Sequence, residues 1–147
     1  MKAIKPSKSE VAAKFAAGTH CAQCSLCPWA EELGYDPEEL ERMAAAFAGG
    51  MFRGDTCGAV VGSLIAIGLA CGEGGPAGVE AVKEKTGQFQ AAFTRRFGST
   101  LCRELLQYDL SQPGQHEKAA ESGRLLEYCP DLVIGAIEIM NELLKDE

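Results

Sequence analysis

Apolar residues recur at helical spacing through most of the chain. One stripe with i, i+3, i+4, i+7 spacing consists of Leu40, Met43, Ala44 and Phe47. This spacing predicts an amphipathic helix. The preceding Asp36-Pro37-Glu38-Glu39 has the form of a helix start, because aspartate is a favoured N-cap and proline is favoured at the first helical position. Gly49-Gly50 is predicted to end this helix.

Two longer helices are predicted in the middle of the chain. The uncharged run 59–71 predicts a buried helix that is capped by Asp55 or Thr56 and ended by the glycine-rich segment 72–76. This run is too short for a membrane span, which takes about 20 residues. The next helix is predicted to end at Gly98. Its apolar face carries Val82, Phe89, Phe93 and Phe97.

The last third of the chain is also predicted to be helical. Ser99 is expected to cap a short helix through Leu105-Leu106, and the polar stretch 111–122 is expected to be partly helical after a turn at Pro113-Gly114. A final helix from Pro130 has an apolar face of Leu132, Val133, Ala136, Ile137, Met140, Leu143 and Leu144. No segment alternates with the period of two that strands require. We therefore predict one compact all-α domain over residues 1–147, with about six or seven helices around one buried central helix and residues 1–15 as a less ordered start.

Composition and charge narrow the range of functions. Hydrophobic residues make up 46% and charged residues 24% of the chain, which is typical of a globular protein. The net charge of −7 argues against nucleic-acid binding, because contacts to phosphates need a clustered basic face. The N-terminal apolar run is far shorter than a signal-peptide core, so we expect a cytoplasmic protein without a membrane segment. The expected partner is a redox protein, and the apolar last helix is compatible with a homodimer.

Cysteine provides the candidate chemistry. The chain has seven cysteines, an odd number that excludes complete pairing within one chain, and structural disulfides are rare in the cytoplasm. Three of them form the run Cys21-x-x-Cys24-x-x-Cys27-Pro28. This run is partly similar to a bacterial ferredoxin cluster motif, but proline follows the third cysteine directly and no fourth cysteine lies three residues on. Covalent haem attachment is excluded because Ser25 and Pro28 stand where the motif needs histidine.

Four cysteines fall at the predicted N-termini of four helices. They are Cys21, Cys57, Cys102 and Cys129. The free N–H groups and the positive dipole end at such positions favour anions, so we expect lowered thiol pKa values, with help from Arg53 and Arg103. If these helix ends converge, they form a site for negatively charged sulfur. Cys71 lies 14 residues beyond Cys57, about 21 Å along the same helix, and is expected to be a small packing residue.

The chain resembles a family of putative redox-active proteins described by the cysteine pattern C_GCAxxG_C_C. The matching stretches are Cys21-Ala22-Gln23, 30–34, Phe47-Ala48-Gly49-Gly50-Met51 with Arg53, 56–62, 97–106 and Cys129-Pro130. The resemblance implies that the four characteristic cysteines are Cys21, Cys57, Cys102 and Cys129. It also implies a relation to a domain of split-Soret cytochromes whose cysteines are associated with an iron–sulfur cluster. Cys24 and Cys27 depart from the pattern, which has aliphatic residues there.

Three functions are compatible with these residues. The first is an iron–sulfur electron carrier, with Cys21, Cys57, Cys102 and Cys129 as ligands and Cys24 and Cys27 as additional candidates. The second is a metal-free thiol–disulfide oxidoreductase in which Cys57 attacks a substrate disulfide and Cys21, Cys24 or Cys27 resolves it. The third is a structural zinc site, since four thiolates satisfy tetrahedral zinc. Whether the protein is an enzyme stays open between these hypotheses.

The remaining polar and small residues have simpler interpretations. Gly58, Gly62 and Ala66 recur every four residues and are expected to admit a close neighbouring helix. His20 is a candidate ligand or proton donor beside Cys21, although a packing or solvated role is the more common one, and His116 is expected to be solvated. The acidic residues between 31 and 41 are expected to form a solvated helix surface.

Overall fold

The helical periodicity corresponds to helices almost everywhere in the computed structural model, which describes residues 1–147. Eight helices of five or more residues and two single turns follow one another along the chain. They are α1 (Lys8–Ala16), α2 (Cys21–Leu26), α3 (Ala30–Leu33), α4 (Pro37–Ala44), α5 (Gly58–Cys71), α6 (Pro76–Phe97), α7 (Cys102–Leu106), α8 (Gln115–Glu121), α9 (Arg124–Glu127) and α10 (Cys129–Leu143). The all-α prediction is confirmed. No helix combines the length and the apolar content needed to cross a membrane.

Most helix boundaries follow from local residues. The Asp36 carboxylate accepts a hydrogen bond from the Glu38 amide at 3.0 Å, and Pro37 is the first residue of α4, as predicted. Gly98 ends α6 with φ of +93°, a left-handed conformation that glycine adopts without a steric penalty. The boundaries of α4 and α6 were therefore accessible from the sequence.

Several details of the prediction are wrong. Met43 is 51% exposed, because α4 ends at Ala44 and its buried face consists only of Leu40 and Ala44. The eight helices of five or more residues agree with the expected number of about six or seven, and the short segments between them have local causes. One such cause is Pro28, which lies in a 3-10 turn (Cys27–Trp29) that separates α2 from α3. Proline has no N–H for the helical hydrogen bonds, so the helical region that begins at Cys21 is divided there.

The N-terminal segment is attached to the last helix, in contrast to the expected less ordered start. The Ala3 amide donates to Asn141 Oδ1 at 2.8 Å, and Asn141 Nδ2 donates back to the Ala3 carbonyl at 3.1 Å. Ala3 itself is buried. The Ser7 hydroxyl and the Glu10 side chain then form a capping box that starts α1. These contacts place α1 beside α10.

The predicted buried helix is α5, which packs against α2, α6 and α10. Its contact with α2 is close because Gly58 faces Cys21 and Gly62 faces Ser25 and Ala22, with no room at either glycine for a Cβ atom. The structure thus supports the packing explanation of these two glycines. On the other side of α5, Phe89 and Phe93 of α6 are completely buried with ring centroids 5.8 Å apart.

A left-handed backbone turn connects α4 to α5. Gly49, Gly50, Met51 and Phe52 all have φ between +56° and +64°. The Phe52 amide donates to the Ala48 carbonyl at 2.8 Å and closes the turn. Left-handed helical backbone costs about 1–2 kcal/mol at a residue with a side chain, so Met51 and Phe52 store strain. Nothing in the residue pattern predicted this conformation at two non-glycine positions.

Candidate functional site

The starts of four helices meet around one cavity of about 210 Å³. Cys57 is the N-cap of α5, and the first residues of α2, α7 and α10 are also cysteines. All four cysteines, Cys21, Cys57, Cys102 and Cys129, line this cavity. We call it the cysteine cavity. The structure therefore brings together residues that are up to 108 positions apart, as the difference between 129 and 21 shows.

Backbone hydrogen bonds join two of these helix starts directly. The Cys57 amide donates to the Thr100 carbonyl at 2.8 Å, and the Cys102 amide donates to the Asp55 carbonyl at 2.6 Å. Between them lies an isolated antiparallel bridge from Thr56 to Leu101. This short pairing replaces the Ser99 cap that the sequence predicted for α7, whose N-cap is Leu101.

The walls of the cysteine cavity are predominantly apolar. They include Phe15, Leu105, Leu106, Leu110, Leu125 and Leu132. Phe52, on the left-handed turn, also borders the cavity and is 60% exposed, so it marks the side that opens to solvent. A bound group would be shielded by these apolar walls, whereas exposed lining residues such as Phe52 and His116 mark where the cavity meets solvent.

Burial dominates the electrostatics of the four thiols. Burial raises the pKa of Cys57 well above its usual value, and the neighbouring thiols of Cys21, Cys129 and Cys102 raise it further. Burial also raises the pKa of Cys102 and of Cys129 to about 12. The expectation of lowered pKa values at helix N-termini is therefore wrong for the thiols as they stand. In the thiol–disulfide exchange hypothesis, Cys57 was the attacking cysteine, but it does not have the lowered pKa that this role was expected to use.

Backbone donors nevertheless surround the Cys21 sulfur. Burial raises the pKa of Cys21, while the backbone N–H groups of Gly49, Ala22 and Gly58 lower it. Two of these donors come from other segments: Gly49 begins the left-handed turn and Gly58 begins α5. The helix-start effect is thus present, but it is smaller than the cost of removing a thiolate from water.

The cation beside the cavity is Arg124, which the sequence did not single out. Its charge lowers the pKa of Cys129 against the effect of burial. The guanidinium carbon lies 4.1 Å from the centroid of the Tyr128 ring, Nη2 donates to the Leu105 carbonyl at 2.7 Å, and the buried Nε has no partner. Arg103, predicted for this role, instead bonds Gly54 and Asp55. Its fellow candidate, Arg53, is exposed to solvent.

Comparison with known proteins identifies the family. The model of the family described as "Putative redox-active protein (C_GCAxxG_C_C)" matches residues 19–143. The chain belongs to this family. No curated protein and no solved structure matches it. The match spans all four helix starts of the cysteine cavity.

In this family member, the two additional cysteines of α2 lie elsewhere. Cys24 and Cys27 border a separate groove of about 490 Å³, which we call the thiol groove. Cys24 is 4% exposed and Cys27 is half-buried. The structure thus does not place either one in the cysteine cavity as an additional ligand. Cys71 is the last residue of α5, at the opposite end from Cys57 and outside both sites.

Both histidines border the cysteine cavity. His20 is half-buried as the N-cap of α2, directly before Cys21. His116 is exposed, as predicted, but it also belongs to the cavity lining, which the sequence did not indicate. As the side chains are placed, no three histidine, cysteine or carboxylate groups are close enough together to bind one metal ion. The four thiols therefore line a common cavity without converging on a single metal position.

Proposed function

We propose that the protein is a redox protein in which Cys21, Cys57, Cys102 and Cys129 hold an iron–sulfur cluster that carries electrons. Membership of a family of putative redox-active proteins supports the redox role. The observation that carries the cluster is that four thiols from four separate helix starts line one apolar cavity. Thiolates are the usual ligands of iron–sulfur clusters.

The residues around the cavity fit such a group. Burial keeps the thiols protonated without a cation, and a bound metal reverses this preference because coordination requires the thiolate. The backbone N–H groups of Gly49, Ala22 and Gly58, which lower the pKa of Cys21, would stabilise the negative charge of a ligating thiolate. The unpartnered Nε of Arg124 supplies a further donor on the Cys129 side.

In electron transfer, the protein would bind the cluster, limit its contact with water and set its reduction potential. When bound, the cluster supplies reversible one-electron transfer. The leucine and phenylalanine walls limit access of water, and hydrogen bonds to sulfur and solvent exposure are the quantities that set a cluster's reduction potential. Phe52 lies at the exposed side of the cavity, where an electron donor or acceptor approaches most closely.

A structural zinc ion is the second candidate, because four cysteines are also a complete zinc ligand set. Zinc–sulfur bonds are about 2.3 Å long, so one ion requires its four sulfurs to meet at a single point. The thiols around the cavity would have to move inward to do so. A multi-atom cluster needs less movement.

Anaerobic purification tests the proposal. The expected result is broad visible absorption around about 400 nm, with iron and acid-labile sulfide in equal amounts and at least one cluster per chain. The absorption should bleach on reduction and return on oxidation. A colourless protein with one bound zinc would overturn the electron-carrier proposal in favour of the structural site.

A further inference from the structure

Cys24 and Cys27 share a surface that is distinct from the cysteine cavity. Both thiols border the thiol groove, which lies between α1, the α2–α3 region and α4. Cys24 Sγ donates to the Thr19 carbonyl at 3.5 Å, and Cys27 Sγ donates to the Pro37 carbonyl at 3.7 Å. Thr19 and Pro37 are themselves part of the groove lining. The two sulfurs are thus directed into the same groove.

Their positions three residues apart on a helix leave a gap that a disulfide would have to close by a small movement. Side chains three residues apart on a helix have Cβ atoms about 5–6 Å apart, whereas a disulfide needs about 3.5–4.5 Å. The α-helical backbone that holds Cys24 ends at Leu26, and a 3-10 turn begins at Cys27, so the pair lies at the end of a helix rather than in its interior. Pro28 has no N–H to donate to the Cys24 carbonyl, so a small local movement breaks no helical hydrogen bond there.

The two thiols differ in accessibility as an attacking and a resolving cysteine do. Cys27 is half-buried and meets the groove first, whereas Cys24 is 4% exposed and lies behind it. A molecule in the groove can therefore reach the Cys27 sulfur without displacing the core. The Cys24 sulfur is almost enclosed by protein, so a molecule in the groove has much less access to it.

We propose that Cys24 and Cys27 form a second redox site, a dithiol that reduces disulfide-bearing molecules bound at the thiol groove. The Cys27 thiolate attacks one sulfur of the substrate disulfide, which forms a mixed disulfide and releases one thiol. Cys24 then gives up its proton and attacks the Cys27 sulfur, which releases the second thiol. Two electrons pass to the substrate, the two protons of the dithiol end on the released thiols, and Cys24 and Cys27 are joined by a disulfide.

The electrostatics of the groove are consistent with a reducing pair. Burial raises the pKa of Cys27 to about 11, with Glu41 raising it and Lys14 lowering it. Burial raises the pKa of Cys24 to about 12; Lys14 lowers it, and the Cys21 and Cys27 thiols and Glu41 raise it. Ionisation therefore gives no stabilisation to the dithiol. Dithiols that are so stabilised are strong oxidants, and this pair lacks that stabilisation, while its small thiolate fraction limits the rate of attack.

The test uses the full-length reduced protein and oxidised glutathione as the disulfide, without oxygen. After acid quenching and alkylation, mass spectrometry counts the remaining thiols and locates the bridge. The wild type is expected to lose two of its seven thiols, to keep no glutathione, and to yield a Cys24–Cys27 bridge on peptide mapping. A bridge from Cys21 to either residue, or no bridge at all, would overturn the proposal.

Variants separate the two roles. Cys24→Ser should retain one glutathione on Cys27, because the resolving thiol is missing, and Cys27→Ser should lose thiols at least tenfold more slowly than the wild type. Cys71→Ser is the matched control, since it also removes a half-buried thiol but lies outside both sites. Equal rates in Cys27→Ser and the wild type would contradict the proposal. The cluster proposal is judged by iron and visible absorption, so either proposal can fail without the other.

Discussion

The cysteine cavity and the thiol groove use the same residue type, and partly the same helix, in different surroundings. The cavity collects one cysteine from each of four helix starts behind apolar walls. The groove holds two cysteines that are three residues apart in one segment, beside Lys14, Glu31 and Glu41. A convergent set of desolvated thiols suits a bound polyatomic cation, whereas a neighbouring pair with one accessible sulfur suits exchange. The difference shows that separation along the chain and exposure, rather than cysteine content, decide the chemistry of each site.

Removal of a cavity thiol should have the largest effect and should separate the two regions most clearly. Cys57→Ser is expected to lower bound iron and visible absorption at least tenfold, because Cys57 is a buried ligand candidate. Cys27→Ser should retain both signals at the wild-type level. The measurement is iron and sulfide content per folded chain after anaerobic purification. An equal loss of iron and sulfide in both variants would show that Cys27 and Cys57 belong to the same site.

The close approach of α2 and α5 offers a second test of the cavity. In Gly58→Ala, the new Cβ would collide with Cys21 Sγ and lie 2.9 Å from the Ala22 amide nitrogen, so one helix must shift. We expect a loss of about 1–3 kcal/mol in the free energy of unfolding, as for other overpacked sites, together with reduced iron content. Urea unfolding monitored by circular dichroism measures the stability.

Gly68→Ala is the matched control on the same helix. No atom lies within 4 Å of its added Cβ, and alanine is favoured over glycine in a helix interior by about 0.5–1 kcal/mol. It should therefore keep or raise the stability. A Gly58→Ala variant as stable as Gly68→Ala would show that α2 and α5 tolerate a wider separation.

Thiol reactivity should differ between the regions in the reduced, metal-free protein. Iodoacetamide is expected to modify Cys27 at least tenfold faster than Cys57, because Cys57 is buried and Cys27 is half-buried. The rate at Cys27 should rise about tenfold per pH unit below its pKa of about 11, since the thiolate is the reacting form. Time-resolved peptide mapping measures both rates. Faster modification of Cys57 would contradict the assignment of exposed and enclosed thiols.

The cavity thiols should also make the metal-free protein sensitive to alkali. Burial raises the pKa of Cys57, Cys102 and Cys129 above 9.0, so the folded state favours their protonated form. The resulting stabilisation is fully present below pH 9 and is lost as the pH rises toward 12. Each such thiol lowers the free energy of unfolding by up to about 1.4 kcal/mol per pH unit in this range. Loading with iron should shift the onset of this loss to higher pH.

The smallest expected effect concerns the strained turn beside the cavity. Met51→Gly removes a side chain from a residue with φ of +58° and should stabilise the protein by about 1 kcal/mol. Met43→Gly, the same change at an exposed position of α4, should instead destabilise it by about 1 kcal/mol, because helix-interior backbone disfavours glycine. Opposite signs in thermal unfolding would confirm the strain, and equal signs would refute it.

Local sequence determined the helices because caps and periodicity act within a few residues. Asp36 and Pro37 start α4, Gly98 ends α6, and the four cysteines of the cavity fall at helix starts as predicted. The family pattern selected the same four cysteines, although the pattern itself does not state what they bind. The prediction that Met43 belongs to the buried face of α4 failed. The apolar spacing continued to Phe47, but the helix ends at Ala44 and buries only Leu40 and Ala44.

Only the tertiary structure decided which cysteines lie in the cysteine cavity, which lie in the thiol groove, and how the pKa of each thiol is shifted. The contact of α2 with α5 through Gly58 turns Cys21 toward one cavity and leaves Cys24 and Cys27 facing another groove. Helix-start donors alone favour thiolates, but burial is a property of the assembled walls and it raised every cavity pKa. Arg124 likewise acts on Cys129 only because the folded chain places it there. Donors are local features of a helix, whereas desolvation and partner charge require distant segments to meet.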